Sequence, residues 1–139
     1  MASPDRFELC FTVPYPPSGL LPNSRAFWGA KQKAGREYAD LAGMIIMAAM
    51  REAGLALPRP YLHGLLATTH HFTRHPADPD NCVGALKPLI DVLQAVTKAS
   101  GKRFRLGIIE NDRYLEVAQP GRRGYSPLGK VIECRLQLW

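Results

Sequence analysis

The hydrophobic period of this chain switches from two to about 3.6 and back again, and that switch limits the folds open to it more than any other feature. Phe7, Leu9, Phe11 and Val13 alternate with Glu8, Cys10 and Thr12, the pattern of a half-buried strand, which Pro14, Pro16 and Pro17 end. From about Lys31 to Ala53 the spacing is helical. Tyr38, Leu41, Ala42, Ile45 and Ala49 form one stripe, Lys33, Arg36, Glu37, Asp40 and Arg51 fall largely elsewhere, and Gly54 closes the helix. Met44, Met47 and Met50 read as core filler. The run Tyr61 to Phe72, rich in apolar, Thr and aromatic residues, reads as a second strand. After a polar loop, Asp80 or Asn81 caps a helix reaching about Lys98, with Val83, Leu86, Leu89, Ile90, Leu93 and Val96 as its buried stripe. Pro88 lacks an amide donor and its ring crowds the carbonyl of Gly84, so a kink or restart is expected there. Tyr114–Ala118 and Lys130–Leu138 are further strands, the latter with Ile132, Cys134, Leu136 and Leu138 inward, and Gly121 to Pro127 is the loop between them. The order predicts one α+β domain over residues 1–139, a small mixed or antiparallel sheet packed with two main helices.

Charge narrows the partners. Eighteen Lys and Arg against twelve Asp and Glu give a formal +6, which favours a polyanion. Nine basic and four acidic residues lie from Lys98 onward, against nine and eight before it, so the surplus belongs to the last third. Cys10, Cys82 and Cys134 show no C-x-x-C spacing, which disfavours a disulfide framework or a cysteine zinc site and suits a reducing cytoplasm. Asp5 and Glu8 interrupt what a signal peptide would need, and Leu41 to Met50 is too short to span a bilayer. A soluble intracellular protein is expected.

The chemistry concentrates in Asp78-Pro79-Asp80-Asn81, followed by Lys87 and Asp91. Two carboxylates one residue apart in extended backbone turn to the same side and share a hard cation, the need of an oxygen-ligated magnesium site. Asp80, Lys87 and Asp91 can share a helix face, and a lysine beside a metal holds a phosphate oxygen as a point charge. The plainer reading also stands: Asp-Pro and Asp-Asn make turns and N-caps, and Lys87 with Asp91 makes an i, i+4 pair. A further acidic group follows an apolar pair in Ile108-Ile109-Glu110-Asn111-Asp112. Carboxylate-bound magnesium amid positive charge is the arrangement that phosphodiester hydrolysis asks for. The histidines, His63, His70, His71 and His75, lack zinc-ligand spacing, and adjacent His70 and His71 on a strand point to opposite faces. Arg74 and His75, the basic stretch Lys98, Lys102, Arg103 and Arg105 around Phe104, and the pair Arg122 and Arg123 are either DNA contacts or solvated charge.

Asp78-Pro79-Asp80-Asn81, then Leu86-Lys87-Pro88-Leu89-Ile90-Asp91-Val92-Leu93, then Gly107-Ile108-Ile109-Glu110-Asn111-Asp112, resemble in order the signature of the RusA family of Holliday-junction resolvases. Pro22-Asn23-Ser24-Arg25 with Phe27-Trp28, Lys31 and Lys33 resembles the family's opening segment, so the likeness runs from about Pro14 to Val117. It implies a compact α+β homodimer that uses magnesium to cleave branched DNA in recombination and repair. By position, Asp78, Asp80 and Asp112 match the metal-binding aspartates and Lys87 the essential lysine, with Asp91 as a partner of Lys87. Asn23, Arg25, Lys31, Arg74, Lys102, Arg103 and Arg105 are the expected DNA contacts. Three residues within Cys82 to Leu86 are additional to the shortest spacing, Ser100 to Leu106 is an insertion, and Asn111 replaces a common acid. The alternative is a non-catalytic DNA-binding module whose aspartates are caps and whose basic loops bind.

Overall fold

Strand β1 (Phe7–Pro14) buries Leu9, Phe11 and Val13 on one face and leaves Glu8, Cys10 and Thr12 exposed, as its alternation requires. The computed structural model describes residues 6–21, 24–55, 61–96 and 103–139. The last strand, β5 (Val131–Leu138), pairs antiparallel with β1 from Phe7 opposite Leu138 to Pro14 opposite Val131. Its other edge takes β2 (Gly64–His71), also antiparallel, so Ile132, Cys134, Leu136 and Leu138 lie in the middle of the core. Two short strands parallel to β2 complete the sheet. β3 (Leu115–Val117) pairs with the first half of β2 and β4 (Gly121–Arg123) with the second. The protein is therefore α+β with a mixed five-stranded sheet. The Gly121–Arg123 stretch, expected as loop, becomes a strand because the exposed edge of β2 at Thr69 to His71 offers it backbone partners.

Helix α1 (Trp28–Ala53) begins three residues before the sequence expectation and ends at Gly54, whose φ of 75° is the left-handed conformation that glycine tolerates best. Its amide donates to the carbonyls of Arg51 and Met50. The Tyr38 hydroxyl donates to the Pro14 carbonyl at 2.9 Å and pins the helix to the end of β1. The buried face comprises Gly35, Tyr38, Ala39, Ala42, Gly43, Ile46 and Met50. Tyr38 and Ala42 of the predicted stripe are buried and Ile45 and Ala49 pack against the core, but Leu41 is 44% exposed, and Met44 and Met47, expected as core filler, are 69% and 37% exposed. Glycine completes the buried face. A Cβ on Gly43 would lie 2.4 Å from the Phe104 ring, and one on Gly35 the same distance from the Arg103 guanidinium. The 103–107 segment thus lies where only small residues leave room, a preference that hydrophobicity does not register.

Helices α2 (Pro79–Ala85) and α3 (Lys87–Leu93) meet at Leu86, the break that Pro88 was expected to impose. Their buried residues include Cys82, Ala85, Leu89, Val92 and Leu93, whereas Val83 and Val96 of the predicted stripe are exposed. α3 stops at Leu93 because the following chain crosses its end: Leu106 N–H donates to Val92, Gly107 N–H to Gln94 and Ile109 N–H to Leu93. β2, α2, α3 and β3 thus form a parallel crossover. Helices and core cover one sheet face. The other carries Cys10, Thr12, Ala67, Thr69, Glu133 and Arg135 around an open hollow. No described helix is long and apolar enough to cross a membrane.

Candidate active site

The chain that delivers Asp78 is clamped by the segment from Arg122 to Ser126. Phe72 N–H donates to the Arg123 carbonyl at 2.8 Å, Tyr125 N–H to Arg74 and Ser126 N–H to Phe72, each at 2.9 Å, and the Arg122 guanidinium to the Ala77 carbonyl at 3.0 Å. Below them His71, buried on the sheet, pairs Nδ1 with the Ser126 hydroxyl at 2.8 Å and Nε2 with the Glu133 carboxylate. His70 takes the opposite face, as the alternation predicts, and its Nε2 lies 3.2 Å from the Thr68 hydroxyl. The Gly121–Ser126 clamp escaped sequence reasoning because its pairs span about fifty residues; only Gly124 hints at it. A Cβ there would stand 2.7 Å from the Arg74 carbonyl oxygen and 2.9 Å from the Pro76 ring. Gly124→Ala is therefore expected to destabilise the fold by about 2 kcal/mol in urea melts, since backbone and a proline ring must move. Gly35→Ala should cost less than about 1 kcal/mol, because the flexible Arg103 tip can step aside while the helix gains alanine.

Asp78 occupies the N-cap position of α2 with Pro79 after it, yet its carboxylate makes no capping hydrogen bond. Asp80 is in the first helical turn. The D-x-D pair is thus not extended, contrary to expectation, because Pro79 holds the φ of a first helical residue. Both aspartates are exposed, and neither forms an ion pair among the described residues. Cys82 nearby is buried, and that burial pushes its thiol pKa up despite the Tyr15 hydrogen bond and Arg122.

From Asp80 one helical face continues through Gly84, Lys87, Pro88 and Asp91, a spacing of three and four that survives the break at Leu86. The last four line a groove of about 310 Å³ against Leu20, Leu21 and the first turns of α1. Lys87 and Asp91 share it without forming the expected ion pair among the described residues, and Asp91 instead accepts from the Gln94 amide at 3.4 Å. Lys31 lines it too while donating to the Ser24 carbonyl at 3.1 Å, and Arg103 donates to Gln32 at 3.5 Å. Arg25 and Arg74 are exposed. Arg105 is tied into the fold: it donates to the Ala95 carbonyl at 3.2 Å, and its Nε is buried without a partner. Asn23 and Lys102 lie outside the described residues.

Asp112 stands elsewhere. It opens a 3₁₀ turn, Asp112–Tyr114, capped by Asn111, whose side chain accepts the Arg113 N–H at 3.0 Å. Leu115 then pairs with Gly64, the first residue of β2, whereas Asp78 follows the last. Ala95 N–H donates to Glu110, which puts this junction at the far end of α3. The length of α2 and α3 therefore separates Asp112 from Asp78 and Asp80, about 20 Å at helical rise. Among the described residues no three His, Cys, Asp or Glu side chains are gathered to hold a metal ion. Asp78 and Asp80 would by themselves supply one or two carboxylates, the number magnesium takes where phosphate oxygens and waters complete its shell.

Comparison of the chain with protein-family models, curated proteins and solved structures returns no match.

Proposed function

We propose that this chain is a magnesium-dependent endodeoxyribonuclease of the RusA kind, acting as a homodimer on branched DNA during recombination and repair in the cytoplasm. One observation carries the reading: Asp78 and Asp80 stand exposed, with no ion pair among the described residues, at the head of a helix face that runs into a groove bearing Lys87, Lys31 and Arg103. Magnesium held there would supply a lower pKa for bound water and charge neutralisation on the phosphate. Lys87 holds a phosphoryl oxygen and offsets charge on it. Lys31 and Arg103 keep the strand in the groove, and Arg25 and Arg74 meet flanking phosphates.

Dimerisation gives Asp112 its role. Two copies packed antiparallel about a two-fold axis set the Asp112 end of each chain beside the Asp78–Asp80 end of the other. A site completed in this way has a distinctive test. Asp80→Asn and Asp112→Asn enzymes, each inactive alone, regain magnesium-dependent nicking of a four-way junction when co-refolded, at about a quarter of wild-type sites for random pairing. Inactive mixtures would mean that Asp112 does not act across the dimer.

The absence of a gathered triad among the described residues favours a second reading, a DNA-binding module without catalysis. Four-way, flap and linear duplexes incubated with and without magnesium separate the two. The nuclease cuts branched substrates only with the metal, and the binder cuts none.

A further inference from the structure

Trp28 and Phe27, at the start of α1, are 75% and 77% exposed, the largest aromatic surface in the described structure without a core role. Trp28 forms one wall of the groove that Lys31, Gln32, Lys87, Asp91 and Arg103 complete. Three cations face one carboxylate, and that carboxylate already accepts from Gln94. Lys87 makes no ion pair among the described residues. Arg103 lies over the bare backbone of Gly35 and donates to Gln32 at 3.5 Å. At about 310 Å³ the groove is at the small end of ligand sites.

We propose that this groove binds one unpaired nucleotide of a DNA strand, its phosphate held by Lys87, Arg103 and Lys31 and its base stacked on Trp28. Charge complementarity selects a polyanion, and the aromatic wall selects its structure. A stacked duplex hides its base faces, so an indole can stack only on a base that has left the helix. On the proposed nuclease reading, which this inference extends, the groove continues the Asp80 face. It would hold the strand opened at a branch point beside the aspartates.

The test reads binding alone, in magnesium-free buffer. With Trp139→Phe as background, Trp28 is the single tryptophan left. Its fluorescence should be quenched by an oligothymidylate of about eight nucleotides and little changed by a duplex of equal length. Trp28→Ala should weaken oligothymidylate binding about tenfold, the loss of one base stack, with Trp28→Phe within about threefold of wild type. Arg103→Ala should weaken it and lower its salt dependence by about one phosphate contact. Equal losses for duplex and single strand, or no quenching, would overturn the proposal. So would a Trp28→Ala protein that binds normally but sediments as a monomer, since the indole would then be a subunit contact. Quenching by an enzyme that never cuts DNA would leave this site standing and remove the nuclease reading; cutting without quenching would do the reverse.

Discussion

Asp80→Asn lowers magnesium-dependent cleavage of a four-way junction by about a thousandfold or more and leaves junction affinity unchanged or slightly tighter. Asparagine keeps the shape of the side chain but removes its negative charge, and with it one of the two carboxylates that face solvent at the head of α2. Losing that ligand removes about 4 kcal/mol of transition-state stabilisation, near 10³ in rate. The fold should tolerate the change. Asp80 lies past the cap position and makes no ion pair among the described residues, so its favourable charge near the helix start is what is lost, about 0.5 kcal/mol. Binding persists because Lys31, Lys87 and Arg103 are untouched and one repulsive charge near the phosphate is gone. Single-turnover cleavage and a gel-shift titration on the same junction check both halves. Turnover near wild type would remove Asp80 from the active site, and cleavage and binding lost together would mean that it holds the fold.

The second large effect is acid destabilisation through His70. Its ring is fully buried on the core face of β2, Nδ1 has no partner, and Tyr15 meets it edge-on at 5.6 Å. Burial, with a smaller contribution from neighbouring His71, lowers its pKa from 6.5 to about 4. The native state therefore favours the neutral ring. Between about pH 6.5 and 4 the unfolded chain binds more protons, so stability is complete above 6.5 and falls as the pH drops to 4, by about 3 kcal/mol in all. A variant is needed to isolate the effect of this one ring from the rest of the chain. His70→Leu, which cannot ionise, should lose about 3 kcal/mol less than wild type across that window in urea melts. Parallel pH curves for the two proteins would show that His70 is not the titrating group.

Several elements were legible residue by residue. The alternation of Phe7 to Val13 and of Ile132 to Leu138 predicted both strands and their inward faces, Gly54 its helix end, and Pro88 the break between α2 and α3. A helix start was expected at Asp80 or Asn81, with Asp78 in the preceding loop; Pro79 makes Asp78 the cap instead and puts Asp80 inside the first turn. Tyr38 and Ala42 of the α1 stripe are buried as expected, whereas Gly35 and Gly43 were missed because they bury backbone against the 103–107 segment and an apolar pattern gives glycine no weight. The Lys87–Asp91 pair was expected from spacing alone. In the fold Asp91 meets Gln94, and Lys87 is left for the groove.

Local order is written in the chain itself, since period, proline and glycine act over a few residues through sterics and burial. On that basis the sequence alone determined an α+β chain with a broken second helix that starts beside Asp78 and Asp80, and a positive surplus in its last third. Only tertiary structure decided how far Asp112 lies from those aspartates, that Gly121 to Ser126 clamps the loop before them, and that Trp28 walls the groove of Lys87. Each of these is a distance between segments remote in sequence. Such distances follow from strand pairing and helix length, which residue type does not encode one position at a time.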